Sequence, residues 1–206
     1  MLILDLLFPK FNLKYQSPFN YLAECENLYQ PNFKITNHPK KFLPEIQYFF
    51  PYHDEIIQDL LLRAKISGET AIITDFANFL APFFQTLDFD LITFVPKDPS
   101  RGQKRGYHLP QIFATEIGKI TKKPVLDLIK KTENTISQMT LDLESRQKNL
   151  ENKFRINDYL ELNLANYNQI LLLDDVCISG STLNYCTKTI AENFPFLNIK
   201  AVSIAG

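Results

Sequence analysis

Apolar runs punctuate this chain at regular intervals. Ile170, Leu171, Leu172 and Leu173 follow one another without alternation, the pattern of a strand buried on both faces. Leu91 to Val95 is a second such run, and the aromatic segment Ile46 to Tyr52 suits a third strand, with Pro51 placing its end near a sheet edge. Between them the period changes to that of a helix. Ile56, Ile57, Leu60, Leu61 and Ala64 form one stripe, opened by Asp54 as N-cap and closed by Ser67-Gly68. Ile73, Phe76, Ala77, Leu80, Phe83 and Phe84 form a second, and Leu109, Phe113, Ile117 and Ile120 a third. These stripes read as core faces. Val125 to Ile129 predicts a short strand, Ser137 to Asn149 a loop and then a helix, and Phe154 to Ile156 an extended piece. A helix from Thr182 to about Asn193 and a strand near Ile199 to Ile204 complete the chain. Strands alternating with helices predict an α/β fold, an open and mostly parallel sheet flanked by helices. Residues 1–45 differ: Pro9, Pro18, Pro31, Pro39 and Pro44 break any long helix, and the segment reads as an irregular N-terminal attachment to a domain spanning 46–206.

The candidate chemistry lies after the first of these runs. Asp174 and Asp175 follow Leu173, then Val176, Cys177 and Ile178, then Ser179, Gly180, Ser181 and Thr182 open a helix. In an open parallel sheet, ligands bind beyond the carboxyl ends of strands. Small residues at a helix N-terminus present N–H groups and hydroxyls that favour a phosphate. The acids would repel that phosphate, so their partners are expected to be hydroxyl groups or a metal ion. A phosphate beside a diol is a ribose 5-phosphate. The plainer alternative is a strand that ends in two solvated acids. No Gly-Lys-Ser/Thr occurs, which argues against a Walker-type loop.

Composition changes this picture little. With 206 residues, 45% hydrophobic and 22% charged, the chain can bury a sizeable core. It holds no apolar run long enough to span a bilayer, and Met1 to Pro9 lacks the basic leader and cleavage site of a signal peptide. Cys25, Cys177 and Cys186 offer neither an even framework nor a CxxC pair, so reduced thiols in a cytoplasmic protein are expected. Net charge is −1, but Lys97 to Lys153 carries 12 Lys and Arg against 7 Asp and Glu. That segment suits either a polyphosphate or nucleic-acid backbone or simply solvated helix faces. Within it, Pro96 to Gly106 has two glycines and the cations Lys97, Arg101, Lys104 and Arg105. Such a loop at a strand's end suits a pyrophosphate, and suits an ordinary exposed basic loop equally well.

Asp174-Asp175-Val176-Cys177-Ile178-Ser179-Gly180-Ser181-Thr182 resembles the ribose-phosphate loop of the type I phosphoribosyltransferases: an apolar strand, two acids, a short apolar stretch, then Thr/Ser-Gly-x-Thr. From residue 46 onward the chain resembles the ComF/GntX family, the competence protein F relatives of those enzymes. Tyr52 with Lys65 and Gly68 is similar to that family's "Y…lKxxG" helix. Val95-Pro96 and Lys104-Arg105-Gly106-Tyr107 are similar to "vP…RGFNQ". Gln138 and Glu144 to Asn149 are similar to "Q…xxRxxN", and Phe154 follows in place. Two departures stand out. His108-Leu109 replaces the Asn-Gln pair. Leu6-Leu7-Phe8-Pro9 matches the family's opening, but Asn12 to Tyr15 stand where a CxxC begins a four-cysteine zinc module, and Leu28 stands where Cys25 would have a partner. A closed zinc site needs four N/S ligands, and one cysteine with His38 and His53 does not supply them, so no zinc is expected. Residues 1–45 would then be a degenerate remnant of that module, or a hood.

The resemblance implies a ligand, 5-phosphoribosyl 1-pyrophosphate (PRPP). Asp174 and Asp175 would bind its ribose hydroxyls, and Ser179, Gly180, Ser181 and Thr182 its 5-phosphate. Lys97, Arg101, Lys104 and Arg105 would meet the pyrophosphate, with Arg146 as a further cation and magnesium arriving with PRPP. It also implies a role in DNA uptake, with single-stranded DNA as a partner. Tyr107 beside Arg105 would then stack a base, or else pack locally. Transfer of ribose phosphate from PRPP to a nitrogen base is one alternative, and a PRPP sensor without turnover is another.

Overall fold

In the computed structural model, residues 46–99, 106–132, 153–158 and 164–206 are described. Strand β1 (Ile46–Phe50) leads to helix α1 (Glu55–Leu62), which continues through a π-helical turn, Arg63–Ser67. Helix α2 (Ala71–Thr86), strand β2 (Leu91–Phe94) and helix α3 (Leu109–Thr121) follow. Two short strands, β3 (Ile129–Lys131) and β4 (Phe154–Ile156), precede β5 (Gln169–Val176), helix α4 (Ser181–Asn193) and β6 (Asn198–Ala205).

The order β1-β6-β5-β2 makes a four-stranded sheet in which every pair is parallel. Parallel neighbours need crossovers, so helices cover both faces and the strands become apolar throughout. Side-chain alternation sorts β5 between two cores. Leu171 and Leu173 join Phe76, Phe84 and Phe113 beneath α1, α2 and α3. Ile170 and Leu172 join Leu183, Cys186 and Ile190 of α4 on the other face. β1 is an outer strand, as Pro51 behind it suggests.

Local signals fix the helix ends. The Asp54 carboxylate accepts the N–H groups of Ile56 and Ile57, two of the donors that a helix start leaves unpaired. Gly68 closes the π-helical turn in the left-handed conformation, φ +79°.

Two expectations need correction. Val125 to Ile129 is not one strand. Val125 makes a single parallel bridge to Ile92, and Leu128 N–H then turns to the Thr93 hydroxyl. The strand that follows, β3, pairs antiparallel with β4 in a separate ribbon. The acids, in turn, do not follow β5 but lie within it. Pairing with β6 carries on past them, with Asp174 opposite Ser203 and Val176 opposite Ala205.

Candidate functional site

All four strands run the same way, so the end of β5 shares one rim with Phe94, Phe50 and Ala205. Strand alternation sends Asp174 toward the α4 face and Asp175 toward the α1 face. Each residue is 6% exposed, so they are not the solvated acids of the plainer alternative. Burial, then the neighbouring Asp175 charge, pushes the Asp174 carboxyl well above the usual carboxylate range. Asp174 Oδ1 accepts the Asp175 N–H at 2.9 Å, and Asp175 Oδ1 accepts the Val176 N–H at 3.1 Å.

The loop after β5 sets up the first turn of α4. Cys177 N–H donates to Ala205 O, holding the loop to the end of β6. Burial and the Asp174 charge push the Cys177 thiol up to about 11, which keeps it neutral and unreactive at ordinary pH. Gly180 is the N-cap at φ +71°, with no side-chain cap. The turn needs glycine for this left-handed backbone angle, and a Cβ there would also crowd Ile46 Cδ1 at 3.0 Å. Ser179 Oγ donates to Ser181 Oγ and weakly accepts the Ser181 N–H. The N–H groups of Thr182 and Leu183 have no acceptor among the described residues. The rim therefore places two buried carboxyls beside a helix start whose second and third N–H groups have no acceptor among the described residues. Ile178, at the loop tip, is 76% exposed.

Asp175 has a partner that sequence reasoning left without a role. Lys65 Nζ lies 2.7 Å from Asp175 Oδ2, across a separation of 110 residues. The side chain leaves the π-helical turn after α1. The only hint in the sequence is a lysine within the "Y…lKxxG" resemblance, beside the buried Ala64.

Lys97 is exposed beyond the end of β2, beside a cleft of about 240 Å³ that it lines with Phe94, His108, Gln111 and Asn157. Asp98 pairs with Lys131 of β3. Arg101, Lys104, Arg105 and Arg146 lie outside the described residues, as do Cys25 and His38, so the pyrophosphate contacts and the zinc expectation gain nothing from the structure. The structure does explain the His108-Leu109 departure. His108 Nε2–H donates to Val95 O at 2.9 Å and its ring packs edge-on to Phe94, tying α3 to the end of β2. Leu109 is fully buried in the core, a place where an amide would need a partner. Tyr107 lays its ring against Gly68 and remains 53% exposed.

No group of three or more His, Cys, Asp or Glu that could hold a metal ion occurs among the described residues. Two carboxylates at a rim nevertheless fit magnesium, which binds through one or two carboxylates together with substrate phosphates. No described helix is long and apolar enough to cross a membrane.

No family model matches the chain. It is 27% identical over 113 residues to competence protein F of Haemophilus influenzae, across 54% of this chain and 47% of that protein. Over that stretch the chain is similar to competence protein F. It spans about half the length of that curated relative. Among solved structures, one described as the allosteric regulatory enzyme of purine biosynthesis aligns with a TM-score of 0.40 at 12% identity, over 65% of this chain and 26% of that one.

Proposed function

We propose that this protein binds PRPP at the end of β5. The carrying observation is the buried pair Asp174 and Asp175 set beside the N–H groups of α4's first turn that have no acceptor among the described residues. The carboxylates accept from the ribose 2- and 3-hydroxyls. The N–H groups of Thr182 and Leu183, with the hydroxyls of Ser179, Ser181 and Thr182 and the dipole of a 13-residue helix, hold the 5-phosphate. Gly180 keeps side-chain bulk out of the turn. Lys97 stands beyond β2, where the pyrophosphate of a sugar anchored in this way would extend, with Arg101, Lys104, Arg105 and Arg146 as further cations. Magnesium, held by Asp174 and Asp175 together with PRPP, would neutralise charge on the pyrophosphate.

Titration calorimetry with PRPP and magnesium tests this proposal. Saturable binding at one site per chain is expected, and no binding at millimolar PRPP would overturn it.

The name of the relative extends the proposal to competence, with single-stranded DNA as the further partner. Transfer to a nitrogen base is a second reading, with the base entering the cleft of about 240 Å³ beside Lys97. In that reaction the bond from C1 to the pyrophosphate oxygen breaks, a base nitrogen bonds to C1, and the base gives up its proton. Pyrophosphate release with one member of a nucleobase panel marks the transferase. Binding without release, together with a single-stranded DNA gel shift, marks the competence role.

A further inference from the structure

We infer that Lys65 is a transferable counter-ion that selects PRPP over ribose 5-phosphate: it neutralises Asp175 in the empty site and passes to the pyrophosphate when ribose hydroxyls take the carboxylate. This inference rests on the PRPP proposal above.

The ion pair joins a fixed partner to a movable one. Asp175 is held by its strand and by the Val176 N–H, and its side chain is 9% exposed. Lys65 is 44% exposed and reaches in on a flexible four-carbon stem. Among the described residues it is the one cation paired with either aspartate. A ribose hydroxyl that takes the Oδ2 position of Asp175 displaces this ammonium.

The backbone of the same residue shows where the ammonium can go. Lys65 O accepts the Tyr107 N–H at 2.9 Å, at the exit of the basic loop that Lys97 enters. Gly106 sits at φ +74°, and a Cβ on it would come within 2.4 Å of Lys65 O. The Tyr107 ring closes over Gly68, 2.6 Å from where a Cβ would stand. Both glycines are thus required for the turn after α1 to lie against the end of the loop. Lys65 thus joins Asp175, through its side chain, to Gly106 and Tyr107, through its backbone.

The chemistry then distinguishes two ligands that share a ribose and a 5-phosphate. Both displace Lys65 from Asp175. PRPP returns an anion to the released ammonium, in a charge-assisted contact. Ribose 5-phosphate has only a hydroxyl at C1 and leaves the ammonium without a counter-charge.

Calorimetry on wild type, Lys65→Met and Lys65→Arg, each with PRPP and with ribose 5-phosphate in magnesium, tests this. Lys65→Met should weaken PRPP by about tenfold or more, the loss of one charge-assisted contact. It should leave ribose 5-phosphate unchanged or tighter, and Lys65→Arg should restore most of the preference for PRPP. Parallel loss of both ligands would show that Lys65 only props Asp175, and unchanged PRPP affinity would show that it does not meet the pyrophosphate; either overturns the inference. If wild type bound no PRPP, the site proposal itself would have failed. Thermal unfolding checks that each variant is folded, and Lys65→Gln repeats the comparison should the methionine variant melt early.

Discussion

Asp174→Asn combined with Asp175→Asn should weaken PRPP binding about 100-fold, because the amides keep an oxygen acceptor for the ribose hydroxyls but lose the negative charge that strengthens those bonds and that would hold magnesium. Calorimetry reads this directly, and a double variant that matched wild type would remove the acids from the site. Stability should move the other way for Asp174→Asn alone. Asp174 is buried with its carboxyl pushed well above the usual range. Below the ordinary carboxylate pKa of about 3.9 both folded and unfolded chains carry the proton, and the group exacts no penalty. As pH rises past that point the unfolded chain ionises first. Stability then falls, at about 1.4 kcal/mol per pH unit, until the raised folded pKa is reached. An amide does not titrate, and its oxygen can still accept the Asp175 N–H. The melting temperature of Asp174→Asn should therefore match wild type near pH 4 and exceed it by at least about 2 °C at pH 7. A lower melting temperature at pH 7 would mean that the carboxylate is stabilised in the fold. A residue that weakens the fold and strengthens binding is what a ligand site leads one to expect.

Phe84→Ala should have the largest effect on the fold. Phe84 is 1% exposed and makes edge contacts with Phe83 at 5.2 Å, Phe49 at 5.7 Å and Phe113 at 5.8 Å. One ring thus links β1, α2 and α3. Removing it loses transfer free energy, leaves a cavity, and breaks three aromatic pairs. The expected cost is about 3–5 kcal/mol, a fall of about 10 °C in melting temperature. Denaturant titration measures it, and a cost below about 1 kcal/mol would show that the layer is not close-packed.

The parts of the fold that were legible in the sequence are those with an unambiguous period. Ile170 to Leu173 had to be a strand covered on both faces, and the stripe ending in Phe83-Phe84 had to be a core helix. The end of β5 was misread because charges normally mark the end of a buried strand. Here the ladder to Ser203 and Ala205 of β6 holds the backbone extended past Asp174 and Asp175, and the rim accommodates their side chains. Three-residue strands such as β3 and β4 are too short to show a period: Phe154 to Ile156 reads as extended, but its antiparallel pairing with β3 is not legible. At the site, the acid pair and the loop were visible because they are contiguous in the chain. Lys65 was not, because its partner is 110 residues away and only the crossover topology brings the two together. The positive φ of Gly106 and Gly180 likewise acquires meaning only once their neighbours, Lys65 O and Ile46 Cδ1, are known.

The location of bound PRPP tests the central claim most directly. In a crystal grown with PRPP and magnesium, the ribose diol should lie within hydrogen-bond reach of Asp174 and Asp175, and the 5-phosphate on the N–H groups of Thr182 and Leu183. Ligand density elsewhere on the protein, or a first turn of α4 capped by the chain's own side chains, would contradict it.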